Sequence, residues 1–195
     1  MSATVLRMRD VSYVTGGRTV VSPTTLDVFA DSRIAVERTG AREAEVLAML
    51  AAGVARASHG SVLIGEFDPR VQPVQCKRIA GFVPHDPLAL SPAAFSRYID
   101  YRAALWDIDV QRARALACVL LERLSGVHEA FAYPIVAALI ASPEMLVLDR
   151  PPLAYAQEVL RAAGCVAIFS THVDPASQRA YCALPPMSDV LERRA

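Results

Sequence analysis

The run Arg33-Ile34-Ala35-Val36-Glu37-Arg38-Thr39-Gly40-Ala41-Arg42-Glu43-Ala44-Glu45-Val46-Leu47-Ala48-Met49-Leu50 changes texture half-way along. Its first part is a short apolar segment. After Gly40, Val46, Leu47, Leu50 and Val54 recur at helical spacing, which predicts a helix from about Ala41 to Ala55. A short buried strand turning directly into a helix is the building unit of a parallel α/β sheet. The alternation continues through Ser61-Val62-Leu63-Ile64-Gly65 and Arg78-Ile79-Ala80-Gly81-Phe82-Val83. It resumes at Met145-Leu146-Val147-Leu148-Asp149, followed by a helix near Leu153 to Ala163 and the run Cys165-Val166-Ala167-Ile168-Phe169-Ser170. Between these, Pro92 to about Leu124 reads as helical throughout, with Phe95, Ile99, Ala103 and Trp106 on one face. Upstream lie the short β-rich runs Val5 to Met8, Val11 to Val14, Thr19 to Val21 and Thr25 to Phe29, broken by Gly16-Gly17 and Ser22-Pro23. The expectation is one α/β domain over 1–195. It has a parallel sheet core, an antiparallel N-terminal part over 1–30 and a helical insertion at about 88–128.

Composition bounds the function. The 195 residues are 53% hydrophobic and 21% charged, enough apolar surface for a packed core and too little charge for a disordered chain. Twenty basic side chains balance twenty acidic ones, so no net field favours nucleic acid or an anionic membrane. Lys77 is the only lysine, leaving 19 arginines among the 20 basic residues, and any mechanism needing a lysine elsewhere is excluded. Ala130 to Pro143 is uncharged but too short to span a bilayer, and the start lacks the basic and apolar regions of a secretory signal. A cytosolic chain is expected, meeting the membrane only at its inner face and through a partner. Cys76, Cys118, Cys165 and Cys182 form no Cys-x-x-Cys pair and no zinc-ligand spacing, so they are expected to be buried thiols, with no metal site.

The order of these pieces resembles the ATP-binding domain of ABC transporters, a P-loop NTPase-like fold, over nearly the whole chain. The matching residues are Asp10-Val11-Ser12-Tyr13 with Gly16-Gly17-Arg18, Ala52-Gly53, His59-Gly60-Ser61-Val62-Leu63-Ile64-Gly65, Ile79-Ala80-Gly81-Phe82-Val83-Pro84, Ser142-Pro143-Glu144 running into Met145 to Asp149, and Ser170-Thr171-His172. The resemblance implies a phosphate-cradling loop ending Gly-Lys-Ser/Thr. Counted without gaps from Arg33 to Gly53, Ala44 takes the lysine position and Glu45 the hydroxyl position; a one-residue slip puts Glu43 and Ala44 there. No register supplies the lysine. A carboxylate facing a phosphate at about 4 Å repels it by roughly 4 kcal/mol at an effective dielectric near 20. Gly40, Ala41 and Arg42 remain as candidate phosphate contacts, with Arg42 offsetting part of that repulsion.

The other stations differ as well. His85 stands where the resemblance implies a glutamine contacting magnesium and attacking water, as a hydrogen-bonding substitute or a solvent-facing loop residue. Asp149 keeps the carboxylate closing its strand, but the catalytic glutamate expected next is Arg150, which cannot act as a base. Pairing of Arg150 with Asp149 or another neighbouring carboxylate is the expected role. Leu124-Ser125-Gly126-Val127-His128 begins like the Leu-Ser-Gly-Gly-Gln signature; either Ser125 and Gly126 contact a partner's nucleotide, or the segment ends a helix and the signature is deleted. Pro151-Pro152 leaves no Ser/Thr-Gly-Leu-Asp loop, which puts the family's head-to-tail dimer in doubt. His172 matches a γ-phosphate contact, or caps the Asp174-Pro175 turn. Tyr13 is the only candidate for an adenine-stacking aromatic.

No catalytic set is therefore intact; Asp149, His172 and His85 are remnants. No cofactor is expected, and any residual ATP and Mg²⁺ binding would be weak. The resemblance implies a transmembrane transporter subunit, a second ABC ATPase-like subunit, or both, as partners, with Pro87, Leu88, Phe95, Tyr98, Tyr101 and Trp106 as the docking surface unless they pack in the core. The expected role is a catalytically impaired structural or regulatory subunit. The alternative is an ATP-binding protein that still binds or hydrolyses ATP, alone or through a composite site with an intact partner. Hydrolysis by Ser170, His172 and Asp149 is set aside, because no Gly-x-Ser-x-Gly elbow exposes a nucleophile.

Overall fold

A computed structural model describes residues 3–86, 88–164 and 166–183. Two sheets share the chain. Strands β1 (Thr4–Thr15) and β2 (Arg18–Phe29) form a long hairpin, and β4 (His59–Ile64) pairs antiparallel with the other edge of β1. The four short runs expected near the N-terminus are thus two long strands, whose register shifts absorb the breaks. The second sheet is parallel, in the order β3 (Arg33–Glu37), β7 (Ala167–His172), β6 (Met145–Asp149), β5 (Ala80–Val83).

The connections explain this topology. Helix α1 (Ala41–Ala51) follows β3 and buries Ala44, Val46, Leu47, Ala48 and Leu50 between the sheets. The run 61–65 therefore serves the antiparallel sheet and not the parallel core. A continuous apolar segment is compatible with either partner, and here Gly60 decides the approach. At φ +79°, a Cβ at Gly60 would overlap the Arg9 and Asp10 carbonyls. The expected strand over 78–83 is cut short because Pro73–Ile79 forms α2, with Pro73 at its start, leaving only Ala80–Val83 as β5.

The helical region is two helices, α3 (Pro92–Leu105) and α4 (Val110–Arg123), separated at Asp107, whose φ is +55°. Ser91 and Asp109 cap them, accepting from the Ala94 and Arg112 backbone N–H groups. Helix α5 (Glu129–Leu139) carries Pro134 in its interior. Proline lacks the N–H that would have reached Ala130, and the freed Ala130 carbonyl instead accepts the Leu88 N–H at 2.8 Å. The proline thereby anchors the segment after β5. A 3-10 turn (Leu153–Tyr155), α6 (Ala156–Ala163) and α7 (Pro175–Ala183) complete the fold. Among the described residues no helix is long and apolar enough to cross a membrane. Of the cysteines expected to be buried, Cys76 is; Cys118 and Cys182 are exposed on α4 and α7, and Cys165 lies outside the described residues.

Candidate functional site

Parallel pairing puts the carboxyl ends of three strands in one row: Glu37 beside His172, and Thr171 beside Asp149. Ligands of open α/β sheets bind outside this edge. The sheet brings Asp149, His172, His85 and the start of α1 to it, as the sequence implies.

Asp149 is buried, and both of its oxygens accept hydrogen bonds. Arg150 donates from Nε to Oδ1 at 2.8 Å and from Nη2 to Oδ2 at 2.9 Å, and Thr171 Oγ1 donates to Oδ1 at 3.3 Å. This is the pairing expected for Arg150. The Arg150 backbone is left-handed, φ +46°, and is held on both sides. Its N–H donates to the Thr171 carbonyl at 3.0 Å, and its own carbonyl accepts Nδ1–H of His85 at 3.1 Å. His85 is thus both a hydrogen-bonding and a solvent-exposed residue. The Asp149 hydrogen bonds, then the charges of Asp149, Glu45 and Asp86, raise the guanidinium pKa against the opposing effect of its burial.

The connection between β3 and α1 is three residues, Arg38-Thr39-Gly40. A phosphate-binding motif of the Gly-x-x-x-x-Gly-Lys-Ser/Thr type spans about eight residues in all, and its glycine-rich part folds backbone N–H groups around a phosphate ahead of the helix. Ala44, which the gapless count puts at the lysine position, is buried inside the first turn of α1, its N–H bonded to the Gly40 carbonyl at 3.0 Å. Gly40 is the N-cap residue without a side-chain cap. Glu43 supplies negative charge to this helix start instead, accepting Thr39 Oγ1 at 3.3 Å and lying 3.5 Å from Arg38 Nε. Arg38 also donates to Thr24 Oγ1 at 3.1 Å, tying the connection to β2. Ala41 and Arg42 are exposed, and Arg42 is paired with Glu45 at 2.9 Å.

His172 is buried at the end of β7. Its Nε2 lies 2.9 Å from Ser170 Oγ, its Nδ1 has no hydrogen-bond partner, and the Tyr181 ring of α7 sits 5.1 Å away. Desolvation lowers its pKa to about 4, keeping the imidazole neutral at pH 7. The turn is capped by Asp174 itself, whose Oδ1 accepts the Ser177 N–H at 2.8 Å, so His172 is not the capping residue. Ser125 and Gly126 are exposed between α4 and α5, with Gly126 facing Glu158 of α6. His128 is the N-cap of α5.

The expected docking residues divide. Phe95 is core, stacked 3.9 Å from Tyr133, and so is corrected from surface to scaffold. Leu88, Tyr98 and Trp106 are half-buried, with Arg102 over the Trp106 ring at 5.9 Å. Tyr101 is exposed on the outer face of α3 beside Leu105. Pro87 lies outside the described residues. Sequence reasoning missed Arg38, Thr171 and Tyr181. The first two sit next to predicted strand ends, a usable signal; Tyr181 meets His172 only through tertiary folding.

The fit to Mg-ATP follows from these donors. Magnesium requires free carboxylate oxygens, and both Asp149 oxygens already accept from a cation. A triphosphate requires positive charge beside the first N–H groups of α1, and the Glu43 carboxylate stands there with no lysine. The arrangement does not fit the group.

Many solved structures share the fold, and three serve as examples. One is described as the ATP-binding subunit of an ABC transporter, with TM-score 0.74 and 16% identity over 92% of this chain and 83% of that one. A second is CbiO1 from Clostridium perfringens, part of the ABC transporter complex CbiONQ, with TM-score 0.66 and 15% identity over 88% and 79%. The third is the ATP-binding cassette MJ0796 as a post-hydrolysis dimer bound to ADP and Pi, with TM-score 0.70 and 12% identity over 90% and 91%. No protein-family model and no curated protein sequence matches the chain. The chain has the fold of the ATP-binding subunits of ABC transporters.

Proposed function

We propose that this chain is an ABC-type nucleotide-binding-domain homologue that has lost ATP hydrolysis and acts as a structural or regulatory subunit of a membrane transporter complex. The observation that carries the reading is the bidentate Asp149–Arg150 pair, which sits where hydrolysis needs a metal ligand followed by a general base. Loss of a base alone removes typically 10²–10⁴-fold of rate. Here the phosphate-positioning loop and its lysine are missing too, and phosphoryl transfer depends almost entirely on positioning and charge stabilisation. The partners are a transmembrane subunit, a second ABC ATPase-like subunit, or both. CbiO1, one of the chains sharing the fold, is itself part of a multi-subunit transporter complex. The chain works at the inner face of the membrane through those partners, with Tyr101, Tyr98 and Trp106 at the contact.

Mg-ATP is expected to leave the melting temperature of the purified chain unchanged, since only a ligand that binds the native state raises it. ATP turnover by the chain alone, or a saturable rise in melting temperature at sub-millimolar Mg-ATP, would sink the proposal. Affinity purification from cells is expected to recover a membrane protein in stoichiometric amount, and a chain recovered alone and monomeric contradicts the partner assignment.

A further inference from the structure

The guanidinium of Arg150 does more than fill a gap left by a lost glutamate. Its Nε and Nη2 address the two oxygens of a buried carboxylate side-on, and Thr171 Oγ1 is a second donor to Oδ1. The left-handed turn at Arg150, fixed by Thr171 and His85, swings the side chain back onto its own predecessor. Glu45, from the first turns of α1, and Asp86, from the segment after β5, act on the same guanidinium as further negative charges. Arg150 is thus hydrogen-bonded to Asp149 and feels the charges of two further pieces of chain near the carboxyl edge of the sheet. A metal ion bound at Asp149 would carry the same charge relation to the same three pieces.

We propose that Arg150 is a resident counter-cation: a covalently tethered substitute for a divalent metal ion at Asp149, which excludes the metal by occupying its place. The inference rests on the reading of this edge as a former nucleotide site, but its test uses metal alone and no nucleotide. Removing the side chain without disturbing the backbone reopens Asp149 to a divalent cation. Glycine and asparagine both accept a left-handed φ, so Arg150→Gly and Arg150→Asn are the appropriate variants.

The probe is Mn²⁺, followed by melting temperature and by loss of its free-ion EPR signal. Wild type is expected to show no melting shift and no bound Mn²⁺. Both variants are expected to melt lower than wild type without metal. They should then gain about 3 °C once Mn²⁺ reaches roughly ten times its dissociation constant, with one ion bound per chain. Arg150→Gly combined with Asp149→Asn is expected to lose the response. If a variant is unfolded without metal, Mn²⁺ is expected to restore its melting transition. The proposal is overturned if wild type binds Mn²⁺ as the variants do, if neither variant binds it, or if the double variant responds like the single one. ATP turnover by wild type would remove the pseudo-ATPase reading while leaving these metal titrations to be read on their own.

Discussion

Strands β3, β6 and β7 differ along their own lengths more than they differ from one another. The body of β6, Met145 to Leu148, and that of β7, Ala167 to Phe169, are apolar and buried, packed between α1 on one side and the helical layer on the other. Their last residues, Glu37, Asp149, Thr171 and His172, are polar; Arg150 and Thr171 donate to Asp149, and Ser170 lies beside His172. The bodies keep what any parallel sheet of this class needs. The ends carry an arginine-carboxylate pair and buried polar side chains instead. Fold and chemistry thus occupy different halves of the same strands, and one can be replaced without the other.

The largest effect is expected in a strand body. Phe169 is fully buried between the sheets among Leu47, Met145 and Val147, and Phe169→Ala should cost about 4 kcal/mol of unfolding free energy, measured by urea titration. A loss under about 1 kcal/mol would mean that the body is not the source of stability.

The next effect belongs to an end. Arg150→Ala strands a buried carboxylate and should cost about 3 kcal/mol, the low end for a broken buried pair because the Arg150 side chain keeps 17% exposure. Asp149→Asn removes the partner instead, and the double variant should recover part of the loss. Additive losses would show that the pair is not coupled.

His172 gives a comparable effect that depends on pH. Its native pKa is lowered to about 4 from an ordinary 6.5, so the unfolded chain takes up this proton first as pH falls. Its contribution is flat above pH 6.5; stability then declines between pH 6.5 and 4, by about 3 kcal/mol in all. The carboxylates of Asp27, Asp68, Asp100 and Asp174, with pKa values held below 3.8, lose their contributions at lower pH. His172→Gln should therefore flatten the decline in that window, and an unchanged slope in denaturant titrations would move its origin elsewhere.

The same division governs what could be read in the sequence. The body of β6 was legible with its bounds, because five apolar-to-acidic residues between a turn and Pro151-Pro152 allow little else. The run 61–65 was legible as a strand but not by its partner: apolar continuity suggests burial on both faces, whereas in β4 Val62 and Ile64 are buried and His59, Gly60 and Ser61 are exposed at the edge of the antiparallel sheet. The helix 73–79 was hidden because only seven residues carry it, too few to show a helical period, although Pro73 marks its start. At the ends, Arg150 was legible because its partner is adjacent in sequence. Tyr181 over His172 was not, since nothing local connects α7 to the tip of β7. Arg38, with contacts to Thr24 and Glu43, lies between the two cases.

The smallest effect separates an end that is a site from one that only looks like it. Arg42 is the cation nearest the start of α1, and in sequence it is the natural candidate to receive a phosphate. In the fold it points outward, its side chain 63% exposed, and pairs with Glu45 three residues on. An exposed pair of this spacing contributes at most about 0.5 kcal/mol and is screened by salt. Arg42→Ala should shift the melting temperature by no more than about 1–2 °C at low ionic strength. The difference from wild type should vanish in 0.5 M salt, where the Debye length falls to about 4 Å. The Asp149–Arg150 pair is buried, so the Arg150→Ala deficit should survive the same salt. Were Arg42 to show the larger and salt-resistant loss, the guanidinium organising this edge would be Arg42, and the resident cation would have to be sought at the helix start.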